Sequence, residues 1–388
     1  MPEANLPEFD FNLRTRMVCG AGSVGRIGDL AGELGIRRAL LVTDPGIMAA
    51  GHVDRALTAL KKANIETFLF DGAHENPTTD DIDAGLELAR RHEPELLIGL
   101  GGGSSMDCAK GINFVHTNGG KMHDYHGVGK ALKPMLPMIA VPTTAGTGSE
   151  MQSFALISDA KTHVKMACGD KKASCRIALL DPELTLTQPP LVTALTGIDA
   201  ISHAVETYVT KRRNSVSLLY SRESWRLLAG NFESVLKDPE NIEARAAMQL
   251  GAAYAGVAIE NSMLGASHAL ANPLTATYGT SHGQAVGLML PHVVRFNGEQ
   301  YDRWYQELLA SSESLPGLPK SSTGAAGLAD FLTQLIDAAG LEVKLDQCGV
   351  EADKMSELAA AAAEQWTGTF NPRDVDHESL LGIYQNAF

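Results

Sequence analysis

The chain of 388 residues is poor in cysteine, with five thiols at positions 19, 108, 168, 175 and 348. Their number is odd, their positions are scattered, and no two of them form a C-x-x-C pair. Secreted domains held by disulfides and zinc sites built from thiolates both need paired or closely spaced cysteines. The cysteine pattern therefore argues against both kinds of protein.

Positive charge and long apolar runs are also scarce. Lys and Arg number 32 against 46 Asp and Glu, a formal net charge of −14 that repels polyanions and disfavours nucleic acid as a partner. No apolar run reaches the roughly 18–20 residues of a membrane-spanning helix. The acidic start, MPEANLPEFDFN, lacks the pattern of a secretory signal. We expect a cytoplasmic protein with no membrane partner.

The first half of the chain alternates short apolar runs with helical patterns. Gly51–Asn64 and Thr78–Glu93 carry apolar residues at intervals of three and four, as amphipathic helices do. The apolar, β-rich runs around them lie at 37–44, 65–72, 94–103 and 137–144. Alternation of this kind is typical of parallel βαβ units. It predicts an α/β nucleotide-binding domain with a Rossmann-like parallel sheet.

The second half is rich in Ala and Leu and predicts an all-α domain. Asp-Pro and Pro-Pro steps within 181–190 break regular structure, so we expect domains at 1–185 and 186–388. Small residues on nearly every face of 243–272 predict one tightly packed interior helix. The segment 311–324 is predicted to be a surface loop.

A literal G-x-G-x-x-G occupies Gly20–Gly25, the pattern of a dinucleotide-binding turn. Asp44 follows Gly25 by 19 residues, where the ribose-binding acid of such a fingerprint falls. The strand before the glycines is short, only Met-Val-Cys. A glycine turn that caps the first helix is therefore the alternative interpretation.

A second glycine run, Gly101–Gly103, directly follows an apolar strand and precedes a helical pattern. Three glycines leave backbone N–H groups open to a pyrophosphate, and a helix N-terminus favours the same anion. Thr143–Glu150 also follows a strand and packs four hydroxyl side chains and two glycines into eight residues. Such loops line the ligand crevice of open α/β sheets, although a sharp turn or a structural cluster of hydroxyls remains the alternative.

Four residues of the second half form a candidate metal site: Asp199, His203, His268 and His282. Asp199 and His203 stand four residues apart, which brings both onto one face of a helix. One carboxylate and three imidazoles suit Zn²⁺ and Fe²⁺ alike. Each histidine could equally be a hydrogen-bonded core residue, and spacing alone leaves the two interpretations balanced.

Several long segments recur together in one known family. They are, in chain order, GGGSSMD (101–107), PTTAGTGSE (142–150), DPEL (181–184), GIDAISHAVE (197–206), GASHALANPLTATYGTSHG (265–283), LPHVVRFN (290–297) and NPRDV (371–375). In these segments the chain strongly resembles the metal-dependent (iron-containing, group III) alcohol dehydrogenases. The resemblance is dense from about 97 to 297 and implies a dehydroquinate-synthase-like fold.

The resemblance also implies functional residues. By motif position, Asp199, His203, His268 and His282 would be the metal ligands and catalytic residues, with Fe²⁺ favoured and Zn²⁺ an alternative. The implied NAD contacts are Asp44, Asn76, Gly102, Gly103, Ser104, Asp107, Thr143, Thr144, Thr147, Lys165 and Leu184. A carboxylate at Asp44 would repel a 2′-phosphate, which favours NAD over NADP. The resemblance makes Gly20–Gly25 a helix-capping turn.

One position departs from the family pattern. Many relatives carry a histidine four residues after the third ligand, where this chain has Asn272. That histidine is thought to relay the alcohol proton. An amide can hydrogen-bond, but it cannot take up and release a proton near neutral pH. The proton is then expected to move through water and the cofactor ribose, or through another residue.

The expected reaction is hydride transfer between nicotinamide and a small alcohol or aldehyde, with the metal as a Lewis acid that lowers the hydroxyl pKa. Alternatives of the same fold are a hydroxyacid-oxoacid transhydrogenase and a polyol dehydrogenase. A more distant alternative is a nucleotide-binding sensor that is not an enzyme. We expect a homo-oligomer, a dimer or higher.

Overall fold

The computed structural model describes residues 8–312 and 323–388. They divide into two compact units, Asn12–Gln188 and Pro189–Phe388, and the second also takes in the described residues before Asn12. The loop predicted at 311–324 lies mostly outside the described residues, and domains at 1–185 and 186–388 stay a prediction. None of the helices in the described ranges combines the length and apolar character that a bilayer crossing requires.

The first unit contains two sheets. Its strands are β1 (Arg16–Cys19), β2 (Arg38–Val42), β3 (Glu66–Phe70), β4 (Leu96–Gly101), β5 (Gly127–Val128), β6 (Met138–Pro142), β7 (Phe154–Ser158), β8 (Lys165–Gly169) and β9 (Ile177–Leu180). Six of them form a parallel sheet in the order β1-β9-β6-β4-β2-β3. The other three form a small sheet in the order β5-β8-β7. The predicted parallel α/β architecture is confirmed.

Helices cover both faces of the large sheet. They are α1 (Ile27–Glu33), α2 (Pro45–Ala49), α3 (His52–Lys62), α4 (Thr79–His92) and α5 (Gly103–Asn118). Successive side chains of β4 point to opposite faces of the sheet. Leu97 packs with the core under α4 and α5, and Ile98 packs with the core under α1 and α3. Strands buried on both faces explain the continuous apolar runs of the sequence.

The order of the strands creates a switch point in the sheet. β3 lies on one side of β2 and β4 on the other, so the chain changes direction across the sheet between these connections. Ligands of open α/β sheets bind beyond the carboxyl ends of the strands at such a point. Asp44 follows β2 and the glycine turn follows β4, so both lie at this position.

The second unit is built from helices, which confirms the predicted all-α architecture. They are α6 (Pro190–Val209), α7 (Ser215–Lys237), α8 (Ile242–Ser262), α9 (Ala266–Tyr278), α10 (His282–Leu309), α11 (Gly324–Ala338), α12 (Met355–Ala363) and α13 (His377–Ala387). Most of α6 is buried, including every residue from Gly197 to Val209. This helix is therefore a rigid carrier for the side chains that it presents.

The single helix predicted over 243–272 is wrong. The chain forms α8 and α9 with a break between Ser262 and Ala266, where Met263 takes a positive φ of 70° with an extended ψ of 179°. The break exposes the N–H groups of a new helix start, and the buried carboxylate of Glu206 accepts two of them, from Gly265 and Ser267. These bonds compensate for the ladder bonds that a continuous helix would have made.

Candidate functional site

Three helices bring the predicted metal ligands together. Asp199 and His203 lie one turn apart on α6, His268 lies in the first turn of α9, and His282 is the first residue of α10. The Oδ1 atom of Asp199 lies 3.3 Å from the Nε2 of His203 and 3.7 Å from the Nε2 atoms of both His268 and His282. Two ligand atoms held about 2.1 Å from one tetrahedral ion lie about 3.4 Å apart, so the spacing suits a shared metal.

Two donor atoms of this cluster are buried without a hydrogen-bond partner. Asp199 Oδ1 and His268 Nε2 are both buried and make no hydrogen bond. Asp199, His268 and His282 each offer an atom within 4.8 Å of the others. Buried polar atoms without partners are costly, and an ion between them would satisfy both. The donors are oxygen and nitrogen only, which fits Fe²⁺ or Zn²⁺.

The charges of the cluster favour a cation. Burial by itself would raise the pKa of Asp199, but the three neighbouring imidazoles hold it well below its usual range. Burial would lower the pKa of His268, but the carboxylates of Glu206 and Asp199 raise it to about 9. The site therefore keeps its carboxylates ionised and stabilises positive charge at the point where the donor atoms converge.

Glu206 is part of the candidate site, and the sequence analysis did not single it out. It lies on α6, three residues after His203, and is buried. Its Oε2 is 2.6 Å from the Nδ1 of His268, so Nδ1–H donates to the carboxylate and Nε2 is left to face Asp199. Carboxylates that hold a histidine in this way orient it as a metal ligand. The signal was present in GIDAISHAVE, where Asp199, His203 and Glu206 share a helix face.

Two motifs nearer the C-terminus, LPHVVRFN and NPRDV, place side chains beside the start of α9 and Glu206. Asn297 and Asn371 exchange side-chain hydrogen bonds of 3.0 and 2.8 Å, and Asn297 also donates to the hydroxyl of Tyr305. A Cβ added to Gly265 would lie 3.0 Å from Glu206 Oε1 and 3.2 Å from Asn371 Oδ1. The LPHVVRFN and NPRDV segments thus close around the start of α9, next to the carboxylate that holds His268.

Asn272, the position that departs from the family pattern, lies on α9 one turn after His268. Its Nδ2 donates to the Oε1 of Gln365 at 2.9 Å. This bond fixes which way the amide faces, because the NH₂ group is held by Gln365. The side chain can accept a hydrogen bond through its oxygen, but it does not supply a titratable group.

In the α/β unit, Asp44 lies beside the glycine turn. Its Oδ2 accepts from the hydroxyl of Ser105 at 2.9 Å, and its Oδ1 caps α2 by accepting from Ile47 N. Gly101 takes φ +149°, and a Cβ there would lie 2.4 Å from Ser105 Oγ. Only glycine fits this approach. The structure therefore places Asp44, the predicted ribose-binding acid, beside Gly101–Gly103, the predicted phosphate-binding turn.

The glycine turn also meets the hydroxyl-rich loop. A Cβ on Gly103 would lie 2.7 Å from Thr147 Cγ2, and a Cβ on Gly102 would lie 3.6 Å from Thr144 Cγ2. α5 begins at Gly103, and no side chain caps its start. The first N–H groups of a helix attract anions, so this turn and loop form a candidate cradle for a pyrophosphate.

Asn76 and Lys165 lie beside the same turn. Asn76 N donates to the hydroxyl of Ser104 at 3.2 Å, and Lys165 Nζ donates to Asn76 Oδ1 at 3.0 Å. Asn76 takes φ 52°, a left-handed conformation that Asn tolerates better than most residues. Residues from a loop, a helix start and β8 thus converge on the edge of the candidate cradle.

Three other predicted cofactor contacts are buried. Leu184 has no exposed surface and packs in the core under α1 and α3, and Thr143 is 3% exposed. The carboxylate of Asp107 accepts from Ser149 Oγ at 2.6 Å and from Leu156 N at 3.1 Å. Direct contact of these three residues with a cofactor stays a prediction.

The Gly20–Gly25 turn is a capping turn, as the resemblance implied. Gly22 is left-handed at φ 73° and precedes a 3₁₀ turn at Ser23–Arg26. The carboxylate of Asp181 accepts from Gly22 N and Val24 N, both at 3.0 Å. The N–H groups that a phosphate would need are therefore already bound to a carboxylate.

Comparisons with known proteins agree with this geometry. Residues 14–182 match the iron-containing alcohol dehydrogenase family, and residues 193–388 match the C-terminal region of the Fe-containing alcohol dehydrogenase family. Alcohol dehydrogenase 4 of Schizosaccharomyces pombe is 34% identical over 382 residues, which cover 98% of this chain and 90% of the relative.

Solved structures extend the likeness to the fold. The crystal structure of 1,3-propanediol oxidoreductase aligns with a TM-score of 0.94 at 30% identity, over 98% of this chain and 100% of that one. Sulfoacetaldehyde reductase from Bifidobacterium kashiwanohense, solved in complex with NAD⁺, aligns with a TM-score of 0.89 at 27% identity, over 98% and 99% of the two chains. The alignments with these two structures therefore cover both units of this chain.

Proposed function

Because the chain belongs to the iron-containing alcohol dehydrogenase family, we propose that it is an NAD-dependent and Fe²⁺-dependent enzyme that transfers hydride between nicotinamide and a small alcohol or aldehyde. The observation that carries this proposal is the convergence of one carboxylate and three imidazoles, with the Asp199 Oδ1 and His268 Nε2 atoms buried and without hydrogen bonds.

Asp199, His203, His268 and His282 would hold the metal. Glu206 would keep His268 in the tautomer whose Nε2 is free to bind, because its carboxylate takes the Nδ1 proton. When bound, the Fe²⁺ would supply Lewis-acid polarisation of the substrate carbon–oxygen group, and NAD would supply the hydride acceptor. Zn²⁺ suits the same donors, and the iron-containing family favours Fe²⁺.

The α/β unit would bind the dinucleotide through Gly102, Gly103 and Ser104 at the start of α5, with Thr144 and Thr147 beside them. Open N–H groups at this helix start support that role, because they can hold a pyrophosphate without a basic patch. Asn76 and Lys165 would add contacts at the edge. Asp44, fixed by Ser105, would accept from the adenosine ribose, and its charge favours NAD over NADP.

Asn272 would bind and orient rather than exchange protons. One N–H of its amide donates to Gln365, which orients the side chain, and its oxygen would accept from water or from the substrate hydroxyl. Uptake of the alcohol proton would then fall to a group other than Asn272, because an amide does not take up and release a proton near neutral pH. This assignment distinguishes the chain from relatives that carry a histidine at this position.

The proposal also covers location and assembly. We propose a cytoplasmic enzyme that acts on small molecules as a homo-oligomer. The acidic charge of −14 supports a partner other than nucleic acid. Leu191 and Leu219 of the helical unit are exposed apolar side chains that contact with a second copy would cover. Light scattering coupled to gel filtration would give the number of subunits.

The central test is His268→Ala in protein reconstituted with Fe²⁺, with Zn²⁺ or with neither. We expect loss of the bound metal and a fall in NAD-dependent aldehyde reduction of at least about a hundredfold, since a ligand is removed and the Glu206 charge loses its partner. Metal content and turnover are measured on the same samples. His292→Ala, at a histidine of α10 outside the cluster, is the control. Full metal occupancy with undiminished turnover in His268→Ala would contradict the metal assignment.

A further inference from the structure

Asn272 and Gln365 form a pair of amide side chains beside the candidate metal cluster. Asn272 Nδ2 donates to Gln365 Oε1 at 2.9 Å, and Gln365 Nε2 donates to the backbone oxygen of Ala361 at 3.4 Å. A backbone carbonyl can only accept, so it takes the NH₂ end of Gln365 and leaves the oxygen end for Asn272. The two bonds in series therefore assign the orientation of both amides.

The backbone at Gln365 is fixed against α9. Gln365 follows α12 and directly precedes a 3₁₀ turn at Trp366–Phe370, and its carbonyl oxygen accepts from Gly368 N at 3.1 Å. A Cβ added to Gly368 would lie 3.5 Å from the Cβ of Ala269, so this turn packs directly on α9. The side chain of Gln365 is thus presented from an element that is held in place.

The free end of the Asn272 amide is its oxygen. Among the residues that the structure describes, none donates a hydrogen bond to Asn272 Oδ1, and the side chain is half-buried, so a small ligand can reach it. Asn272 follows His268 by four residues on α9, which places both on one face of the helix. The helix therefore presents a fixed, uncharged acceptor one turn from a candidate metal ligand.

An acceptor at this place distinguishes the two forms of the substrate. An alcohol carries an O–H that can donate to Asn272 Oδ1, whereas the reacting group of an aldehyde has only acceptor atoms. Two acceptors that face each other form no hydrogen bond and displace water that would have formed one. If the amide were free to turn, its NH₂ group would serve the aldehyde instead. The orientation of the amide therefore decides which form of the substrate binds better.

We propose that Gln365 is a positioning residue that makes the site prefer the alcohol over the aldehyde as a ligand. It acts through Asn272, whose oxygen it leaves free to accept from the substrate hydroxyl. This inference rests on the proposed dehydrogenase function and deepens it, because it assigns a preference between the two substrate forms to one hydrogen bond of this chain.

The experiment measures binding without turnover, in protein loaded with Co²⁺, which suits the same oxygen and nitrogen donors and has a visible spectrum that responds to its ligands. We titrate n-propanol into the complex with NADH and propanal into the complex with NAD⁺, so that neither ligand can react. A variant cannot change the equilibrium constant of the reaction, so kcat/KM must change equally in both directions when cofactor affinity is constant. The two dissociation constants are therefore the informative quantities.

Gln365→Met keeps the length of the side chain and removes the acceptor. We expect the dissociation constant of n-propanol to rise about three- to tenfold, as for the loss of one hydrogen bond, and that of propanal to stay the same or fall. Gln365→Glu keeps an acceptor for Asn272 Nδ2 and should restore most of the affinity for the alcohol. Asn272→Leu should bind the alcohol as weakly as Gln365→Met, and the double variant should show no further loss, because Gln365 acts through Asn272.

Gln306→Met makes the same substitution at an exposed glutamine of α10 and should bind both ligands as the parent does. A ratio of the two dissociation constants within twofold of the parent in a folded Gln365→Met would overturn the inference, and so would a further loss of alcohol affinity in the double variant. If Gln365→Met does not fold, the same limit applied to Gln365→Ala decides it. A parent chain that binds neither ligand and transfers no hydride between NAD and n-propanol would overturn the proposed function itself, and the inference with it.

Discussion

The carboxylate of Asp44 accepts hydrogen bonds from two neighbours, and together these bonds fix the position of the side chain. One oxygen caps α2 and the other accepts from Ser105, beside the glycine turn. The side chain is thereby fixed as an anion at the switch point of the sheet. A fixed anion discriminates between NAD and NADP because only NADP brings a further negative charge to the ribose.

Asp44→Gly should shift cofactor preference toward NADP. We expect the ratio of kcat/KM for NADP to kcat/KM for NAD to rise at least about tenfold, since the repulsion is removed. Asp44→Asn keeps an oxygen for the α2 cap and removes only the charge, so it should move the ratio in the same direction. An unchanged ratio in both variants would mean that Asp44 does not contact the adenosine ribose of the cofactor.

Two of the four candidate metal ligands could be placed side by side from the sequence because their geometry is local. Asp199 and His203 lie on one helix, so their spacing of four residues already placed them on one face. His268 and His282 were added to the candidate site by residue type alone, because they lie on other helices and their spacing along the chain says nothing about their distance from this pair; the family resemblance then supported them by motif position. Glu206 was missed for a different reason: its partners are the N–H groups at the break before α9, and the uniform run of small residues in 243–272 hid that break.

At the scale of elements, β2, β4 and β6 of the large sheet were predictable because burial on both faces makes them continuously apolar. The small sheet was not, since β8 begins with a lysine and β7 exposes Leu156. The order of the strands also could not be predicted from the sequence, because β9, the last strand along the chain, lies between β1 and β6. Such pairings depend on contacts between distant segments, which no local periodicity records.

The approach of α10 to α6 fixes where His282 lies. A Cβ on Gly283 would lie 2.2 Å from the backbone oxygen of Leu195, so Gly283→Ala must push the two helices apart. His282 is the adjacent residue and would move away from Asp199. We expect Fe²⁺ affinity, measured by competition with a chelator, to fall about tenfold or more.

Gly298→Ala is the matched control for this prediction. It lies on the same helix and also removes a close approach, with a Cβ 2.3 Å from Ala325 Cβ, but it lies far along the helix from His282. It should lower the thermal unfolding temperature and leave Fe²⁺ affinity near the parent value. Equal loss of metal in both variants would mean that general destabilisation, and not the position of His282, sets the affinity.

Over the whole molecule, acidic residues outnumber basic ones by 46 to 32, and one of the acids is buried where its charge is unfavourable. Burial raises the pKa of Glu150 to about 7, although the nearby Lys110 ammonium opposes the shift. The folded chain therefore binds a proton that the unfolded chain has already lost between about pH 4.5 and 7. Stability should fall as the pH rises through this window, because ionisation of the buried carboxyl opposes folding.

Glu150→Gln should remove that cost without changing the size of the side chain. At pH 8 we expect the variant to unfold at a higher temperature than the parent, with a gain on the order of 1–3 kcal/mol, reduced by whatever the new amide leaves unbonded. The gain should shrink as the pH is lowered toward 4.5, since the parent carboxyl is then protonated in the folded state. Thermal unfolding of both chains from pH 4.5 to 8.5 measures the difference. A gain that is the same at every pH would show that Glu150 acts through packing and not through its charge.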